Sequence, residues 1–404
     1  MTLSTTSPSA DAATARFPLR ALLLLSTAVL VTVTAESLPA GLLPEMAADL
    51  RVSPERIGTL ISVWALTVIV TSVPLSRALL SVDRRLSVVI SLVMFALANL
   101  VTAIAPDYGV VLAARVLAAV AHGVFWSIVI VYATSLLSPG HLGRGLAIVT
   151  AGGTAATAIG LPAATLLAQG LGWRAVFVVL GATALVLAVV VLRAMPRSLA
   201  PTVARGRSSR GFWGDRSLPA VATFGLVAVL IATAQFGSFT YIRPYLSESA
   251  SVAPEWSAVL LLVYGAAGLL GVVVAGVLAD RFPRGSLIAV LVVFAASFAA
   301  LSLVSASIVA VVASLVVWGV AFGAVFPLLQ TILMRIASER TRPLASAGIV
   351  VFFNVGIAAG PWLGAAAGGA STPTTAMAVS ACAMVLAAVL GTLGVLLAGL
   401  RRAG

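Results

Sequence analysis

The chain has 404 residues, of which 61% are hydrophobic and 9% charged, against about 25% charged in an ordinary soluble domain. A soluble protein of this size cannot hide so much apolar surface from water, so the composition indicates an integral membrane protein. The net charge of +12 comes from arginine alone. The absence of lysine excludes a phosphate-binding loop ending in Gly-Lys and a Schiff-base lysine.

Hydrophobic segments of about 20 residues, each long enough to cross a bilayer as a helix, predict an all-α membrane protein with twelve transmembrane helices. The segments lack the alternation of a membrane β-barrel. Residues 1–18 and 401–404 are predicted cytoplasmic tails, the first of them disordered, and 194–217 a polar cytoplasmic linker. The first six-helix half, 19–193, has spans at 19–43, 57–79, 86–105, 110–135, 144–168 and 174–193. The second half, 218–400, has spans at 218–242, 257–279, 286–305, 308–333, 345–368 and 376–400.

The arginines between the spans predict the orientation, because cytoplasmic loops carry the excess of positive charge. With a cytoplasmic amino terminus, the outer loops receive few arginines, namely Arg51, Arg56, Arg174 and Arg243. Most of the others fall on the cytoplasmic side, including all those of the linker. We therefore expect a multi-pass membrane protein with both termini in the cytoplasm. The use of arginine in place of lysine is typical of a GC-rich bacterial genome, so the expected location is the bacterial cell membrane.

Two short matches indicate that the halves arose by duplication. His122-Gly-Val-Phe125 in the fourth span precedes Phe322-Gly-Ala-Val325 in the tenth, and Gly160-Leu-Pro162 in the fifth span precedes Gly360-Pro361 in the eleventh. Both matches have the same sequence offset. Paired six-helix halves typically hold a midplane site between them and transport by alternating access.

A charged motif stands in the loop between the eighth and ninth spans, Gly276-Val-Leu-Ala-Asp280-Arg281-Phe-Pro-Arg284. It resembles the G-x-L-A-D-R-x-x-R motif of the major facilitator superfamily, whose fold has twelve helices in two pseudo-symmetric halves. The resemblance implies that Gly276, Asp280, Arg281 and Arg284 latch the halves together on the cytoplasmic side. In the first half, Ser76-Arg77 stands where that motif would have Asp-Arg, so Arg77 is the matching latch residue.

Further stretches narrow the resemblance. Residues 36–50 resemble the end of helix 1 in twelve-helix drug:proton antiporters, and 115–127 resemble helix 4 of the sugar efflux branch, the arabinose and thiogalactoside exporters. Gly160-Leu-Pro162, Gly172-Trp-Arg174 and 353–356 continue the likeness. The resemblance implies a proton antiporter that exports a sugar or sugar-like compound. An exporter of drugs, antibiotics or other metabolites, such as nucleosides or amino acids, is the alternative.

Three polar residues within apolar spans are the candidates for proton coupling: Glu36, Arg115 and His122. An acid inside an apolar helix should face the protein interior, where it can bind and release a proton or stay neutral and hydrogen-bonded. Arg115 needs water, carbonyl groups or an acid as partner, and the resemblance implies a part in proton transfer. His122 lies seven residues after Arg115, hence on the same helix face, and either titrates or makes a packing hydrogen bond.

Other polar and aromatic residues are candidates for the substrate cavity: Trp126, Gln235, Tyr241, Arg243, Trp318, Gln330 and Asn354. Tryptophan rings suit stacking on sugars or drugs, although packing is the commoner role. Arg243 is expected to pair with Glu248 at the outer mouth. Glycines and prolines that allow close approach and bending are candidate hinge residues at the seam between the halves, or serve packing alone: Gly153, Gly160, Pro162, Gly360, Pro361 and Gly364.

Two other functions remain open: an intramembrane transferase, which would need a catalytic constellation in a sizeable aqueous loop, and a transport-dead sensor. We expect neither, and therefore no enzyme. One cysteine and two histidines predict no metal site and no cofactor. The expected partners are the lipid bilayer, a small-molecule substrate and protons, without nucleic acid or ATP, and the expected state is a monomer.

Overall fold

The computed structural model describes residues 17–78, 82–137, 142–197, 215, 217–282, 285–338 and 342–400. Helices connected by short turns make up these ranges, and no strand occurs in them. The first sixteen residues, the last four and most of the predicted linker lie outside them. The predicted all-α fold is therefore confirmed.

In the described residues of the first half, there are six long helices and one short helix. The long helices are α1 Leu19–Gly41, α2 Pro54–Ala78, α3 Arg84–Ile104, α4 Tyr108–Ser135, α5 from Leu142 to Leu171 and α6 Trp173–Ala194. The short helix Leu43–Leu50 follows α1. Asp83 and Asp107 cap α3 and α4 by accepting bonds from backbone N–H groups. Gly172, at φ +82°, makes the sharp turn between α5 and α6.

Helix α5 is interrupted at its middle. It runs as Leu142–Ala155, passes through a π turn at Ala156–Gly160, and continues as Leu161–Leu171. Pro162 lies two residues after the π turn and cannot donate a helical hydrogen bond, which accounts for the distortion at this point.

The second half repeats the order. Its long helices are α7 Leu218–Phe239, α8 Ser257–Arg281, α9 Ser286–Leu303, α10 Ile308–Ile336, α11 Arg342–Ala366 and α12 Pro373–Leu400. Between α7 and α8 the chain forms a short helix Ile242–Pro244, a π turn Tyr245–Ser249 and a 3-10 turn Pro254–Trp256. Within the described ranges, eleven helices have the length and hydropathy of membrane spans, and Val351–Ala366 of α11 is a shorter apolar helix. These helices agree with the twelve predicted spans.

In each half, glycines bring neighbouring helices into close contact. A Cβ at Gly152 or Gly160 of α5 would collide with Ser26 or Thr34 of α1. A Cβ at Gly360 of α11 would lie 2.8 Å from the backbone N of Gly237 in α7. Small residues at such positions let backbones approach closely in a membrane.

The candidate hinge residues thus make their closest contacts within each half rather than across the seam. Gly153 has more room, with Val29 Cγ1 3.9 Å from the site of a Cβ. Gly364 packs on Gly237, and the carbonyl of Pro361 accepts a hydrogen bond from Tyr241, which follows α7. A hinge role for these residues and Pro162 stays a prediction.

The two halves meet where α2 packs on α11 and α5 packs on α8. A Cβ at Gly265 of α8 would overlap the backbone of Ala158 in the π turn of α5. We call the face at which α1 ends and α2 begins the distal face, and the opposite one the proximal face. Near the distal face, Gln169 donates to the Pro254 carbonyl and the N–H of Ala370 donates to Glu55, and both bonds join the halves.

Candidate functional site

Side chains from α1, α2 and α4 form a polar and aromatic cluster inside the first half. Its members are Glu36, Trp64, Arg115, His122 and Trp126. We call these five residues the N-half cluster. Trp64 and Arg115 are fully buried, whereas Glu36 and Trp126 keep some exposed surface.

Arg115 is held by the backbone of α1. Its guanidinium donates to the carbonyls of Ala35 at 2.8 Å and Glu36 at 3.2 Å. Pro39 explains the first bond, because a proline lacks the N–H that would bond the carbonyl four residues earlier in a helix. The partners of the buried Arg115 guanidinium are therefore backbone carbonyl groups.

Trp64 of α2 lies between the two basic residues of α4. The guanidinium carbon of Arg115 is 4.1 Å from the centre of the Trp64 ring, and the His122 ring is 5.2 Å from it, edge to face. The first contact is a cation–π interaction, which is worth more when water is excluded. Among the described residues, the indole N–H of Trp64 has no hydrogen-bond partner.

Sequence reasoning missed Trp64. A tryptophan in an apolar span looks like any packing residue, and its neighbours are 51 or more positions away along the chain. Its position can be inferred only once α2 is known to pack on α4.

Glu36 and His122 face each other across α1 and α4. The Nε2 of His122 lies 3.7 Å from a carboxylate oxygen of Glu36, and their side chains are 6% and 15% exposed. The Trp126 ring follows one turn later on α4, 6.3 Å from the His122 ring. The three candidate proton-coupling residues are thus brought together, with a half-buried aromatic ring beside them.

A second cluster lies in the second half and is closed. The side-chain amide of Gln235 donates to the Tyr264 hydroxyl at 2.8 Å and accepts from the Trp318 indole at 2.6 Å. Phe239 packs on both aromatic rings. Gln235 and Trp318 are 2% and 0% exposed, so in this conformation they bind each other, and contact with substrate stays a prediction.

Tyr241 and Arg243, two further cavity candidates, lie at the distal seam. The Tyr241 hydroxyl donates to the Pro361 carbonyl and lies against Gly58 of α2. Arg243 pairs with Glu45 of the first half and donates to the Gly41 carbonyl at 3.1 Å. The expected pair with Glu248 was wrong, because the π turn Tyr245–Ser249 leaves Glu248 exposed while Arg243 is buried.

Two further cavity candidates lie on α11 and α10. Asn354 is half-buried on α11, and Gln330 is exposed near the proximal end of α10. Arg281 of the predicted latch is exposed beside Phe282, and a Cβ at Gly276 would meet nothing within 4 Å. Arg284 and the side chains of Arg77 and Asp280 lie outside what the structure describes, so the latch stays a prediction. In the described part of the chain no group of His, Cys, Asp and Glu could hold a metal ion.

The sequence matches a family model described as Major Facilitator Superfamily, over residues 25–272 and 224–402. The chain belongs to this superfamily. It is therefore a membrane transporter and not an enzyme.

Three curated members of the family are similar over most of their length. A chloramphenicol efflux pump of Mycobacterium tuberculosis is 32% identical over 384 residues, which is 93% of this chain and 90% of the pump. A chloramphenicol resistance protein of Streptomyces lividans is 34% identical, over 87% of this chain and 90% of that protein. The inner membrane transport protein YdhP of Escherichia coli K12 is also 34% identical, over 83% and 85%.

Solved transporter structures share the fold. A bacterial homologue of the human lysosomal transporter Spinster superposes with a TM-score of 0.73 at 17% identity, covering 94% of this chain and 97% of that one. The nucleoside transporter NupG superposes with a TM-score of 0.74 at 13% identity, covering 93% and 98%. The twelve-helix architecture of two six-helix halves is thus that of the superfamily.

Proposed function

We propose that the protein exports a small amphiphilic drug or antibiotic in exchange for protons. Two of the relatives described above are named for chloramphenicol efflux or resistance, and they are 32% and 34% identical to this chain over most of its length. They favour the alternative of the sequence analysis, a drug exporter, over the export of sugars. Alternating access of the two halves around a site between them would move the substrate.

The observation that carries the proposal is the approach of Glu36 to His122 beside Trp126. A carboxyl and an imidazole can hydrogen-bond a substrate hydroxyl, and an indole face can stack on an aromatic ring. Chloramphenicol is a neutral molecule that carries both kinds of group. The N-half cluster therefore suits a neutral aromatic compound with hydroxyl groups.

The same cluster supports proton exchange. The side chain of Glu36 is largely buried but not sealed, so its carboxyl can exchange a proton with whichever face is open. Arg115 donates its hydrogen bonds to the backbone carbonyls of Ala35 and Glu36 and not to the Glu36 carboxylate. Protonation of Glu36 therefore breaks no hydrogen-bonded arginine–carboxylate pair.

One proton is sufficient for useful export. A potential of about 100 mV contributes about 2.3 kcal/mol, and one pH unit adds about 1.4 kcal/mol. Together they support a gradient of about 400-fold for a neutral substrate.

We also propose that the distal face is extracellular, as the arginine distribution predicts. In a chain with Cys382→Ser, a membrane-impermeant maleimide should label Glu255→Cys at the distal face in intact cells. It should label Phe282→Cys, near the proximal end of α8, only after permeabilisation. The reverse pattern would overturn the orientation.

The substrate class is tested by counterflow in proteoliposomes, which needs no proton gradient. Vesicles loaded with unlabelled chloramphenicol should accumulate labelled chloramphenicol transiently when they contain the protein, and empty vesicles should not. Competition by arabinose, thiogalactosides, nucleosides and amino acids should be weak. Counterflow of a sugar in the absence of chloramphenicol exchange would overturn the proposal in favour of the sugar exporter.

A further inference from the structure

Arg243 is a buried cation whose partners belong to the other half of the molecule. It lies in the short helix Ile242–Pro244, just after α7 ends, and is 6% exposed. Its guanidinium binds the Gly41 carbonyl and the Glu45 carboxylate, both of the first half. A charge that is buried in an apolar surrounding needs such a partner to stay there.

The end of α1 is built to receive this side chain. The last carbonyls of a helix lack intrahelical partners, and Gly41 is the last residue of α1. A Cβ at Gly41 would collide with Leu161 and lie 3.0 Å from the Thr165 hydroxyl, both of α5. The backbone of Gly41 is therefore pressed onto α5 on one side and capped by Arg243 on the other.

Arg115 binds the same stretch of α1 from inside the first half. It holds the carbonyls of Ala35 and Glu36, while Arg243 holds Gly41 and Glu45 from the second half. The segment from 35 to 45, which carries the Glu36 side chain, is thus fixed at both ends by arginines from opposite halves.

We propose that Arg243 is a positioning residue of the transport cycle, which holds the distal face closed by binding Gly41 and Glu45. The distal ends of the halves can separate only when the guanidinium leaves Gly41 and Glu45. Two other described hydrogen bonds cross this seam, from Gln169 to the Pro254 carbonyl and from the Ala370 N–H to Glu55. Each has at least one uncharged partner, so each is weaker than the ion pair of Arg243 and Glu45. The inference rests on transport by alternating access and not on the proposed substrate or coupling ion.

The test measures the distance between the two halves at the distal face, without substrate or proton gradient. Spin labels are attached to Gly170→Cys of α5 and Glu255→Cys beside α8 in a Cys382→Ser chain. Both positions are exposed, and a Cβ at Gly170 meets nothing within 4 Å. The distance distribution from pulsed electron paramagnetic resonance gives the populations of closed and open distal faces.

Arg243→Gln and Glu45→Gln should each raise the open population at least ~5-fold, and Arg243→Lys should raise it less. The matched control is Arg174→Gln, because Arg174 pairs with Asp49 at 2.8 Å on the same face but within the first half. This control should leave the distribution unchanged. If Arg243→Gln does not fold, the test uses Glu45→Gln alone. The Glu45 side chain is 28% exposed, so its replacement should be tolerated better. Unchanged distances in Glu45→Gln, or equal opening in Arg174→Gln, would overturn the inference.

Discussion

Arg115 of α4 donates a 2.8 Å hydrogen bond to the backbone carbonyl of Ala35 in α1. That carbonyl is free because Pro39, four residues later, has no N–H to offer. A positive charge is thus placed beside Glu36, while the hydrogen bonds of the Arg115 guanidinium go to the backbone. Under the proposed proton exchange, Glu36 would change its protonation next to a cation that stays in place.

Trp64 should stabilise this arrangement. Trp64→Leu removes the ring that faces the Arg115 guanidinium, and we expect it to lower the free energy of unfolding by about 2–4 kcal/mol. Trp64→Phe keeps an aromatic face and should cost less than half as much. Thermal unfolding of the purified protein in detergent measures both changes.

The matched control for Trp64 is Trp362→Leu, because Trp362 on α11 is 63% exposed. Its replacement should change the melting temperature little. Equal losses at Trp64 and Trp362 would show that the contact with Arg115 contributes nothing measurable.

Gln235 should act through packing in the second half. Gln235→Leu leaves the Trp318 N–H without its acceptor and the Tyr264 hydroxyl without its donor, and a buried unpaired polar group costs about 1–3 kcal/mol. We therefore expect a lower melting temperature for Gln235→Leu. Because the side chain acts through packing, the KM for chloramphenicol should stay within about threefold of wild type, a change that corresponds to less than 1.4 kcal/mol. Binding titrations and counterflow rates measure the second quantity.

Gln330→Leu is the comparison for Gln235, since Gln330 is exposed near the proximal end of α10. It should leave the stability unchanged. A Gln235→Leu protein that is as stable as wild type but no longer binds chloramphenicol would instead support the predicted substrate contact.

Gly152 should tolerate no side chain. A Cβ there would overlap the carbonyl of Ser26, which is backbone and cannot rotate away, so Gly152→Ala must push α1 from α5. Overpacking of this kind costs about 1–3 kcal/mol. Gly170→Ala, on the same helix with open space around it, should be neutral or slightly stabilising. Equal melting temperatures for the two variants would contradict the close contact of α1 and α5.

Much of the architecture could be predicted from the sequence. Hydropathy places twelve spans because each must cross the bilayer as a helix, and the observed helices differ mainly at their ends. Pro54 and Pro373, for example, begin α2 and α12 before the apolar runs start. The grouping of Arg115 and His122 also follows from local spacing, since residues seven apart share one helix face.

Contacts between distant helices could not be predicted in this way. Arg243 was assigned to Glu248, its neighbour in sequence, whereas the fold brings Glu45 to it from the other half. The closed group of Gln235, Tyr264 and Trp318 likewise joins α7, α8 and α10. Sequence spacing contains no information on such pairs, because the packing of helices against one another decides them.

Proton flux driven by chloramphenicol in proteoliposomes tests the central proposal most directly. A pH-sensitive dye inside the vesicles reports protons released when the drug is added, for wild type and for Glu36→Gln, whose counterflow is measured in parallel. The account predicts a proton signal in wild type that falls at least ~10-fold in Glu36→Gln while counterflow persists, since neutral Gln keeps the size and hydrogen-bonding capacity of the side chain but binds no proton. A signal of wild-type size in Glu36→Gln would contradict it and move proton coupling away from Glu36.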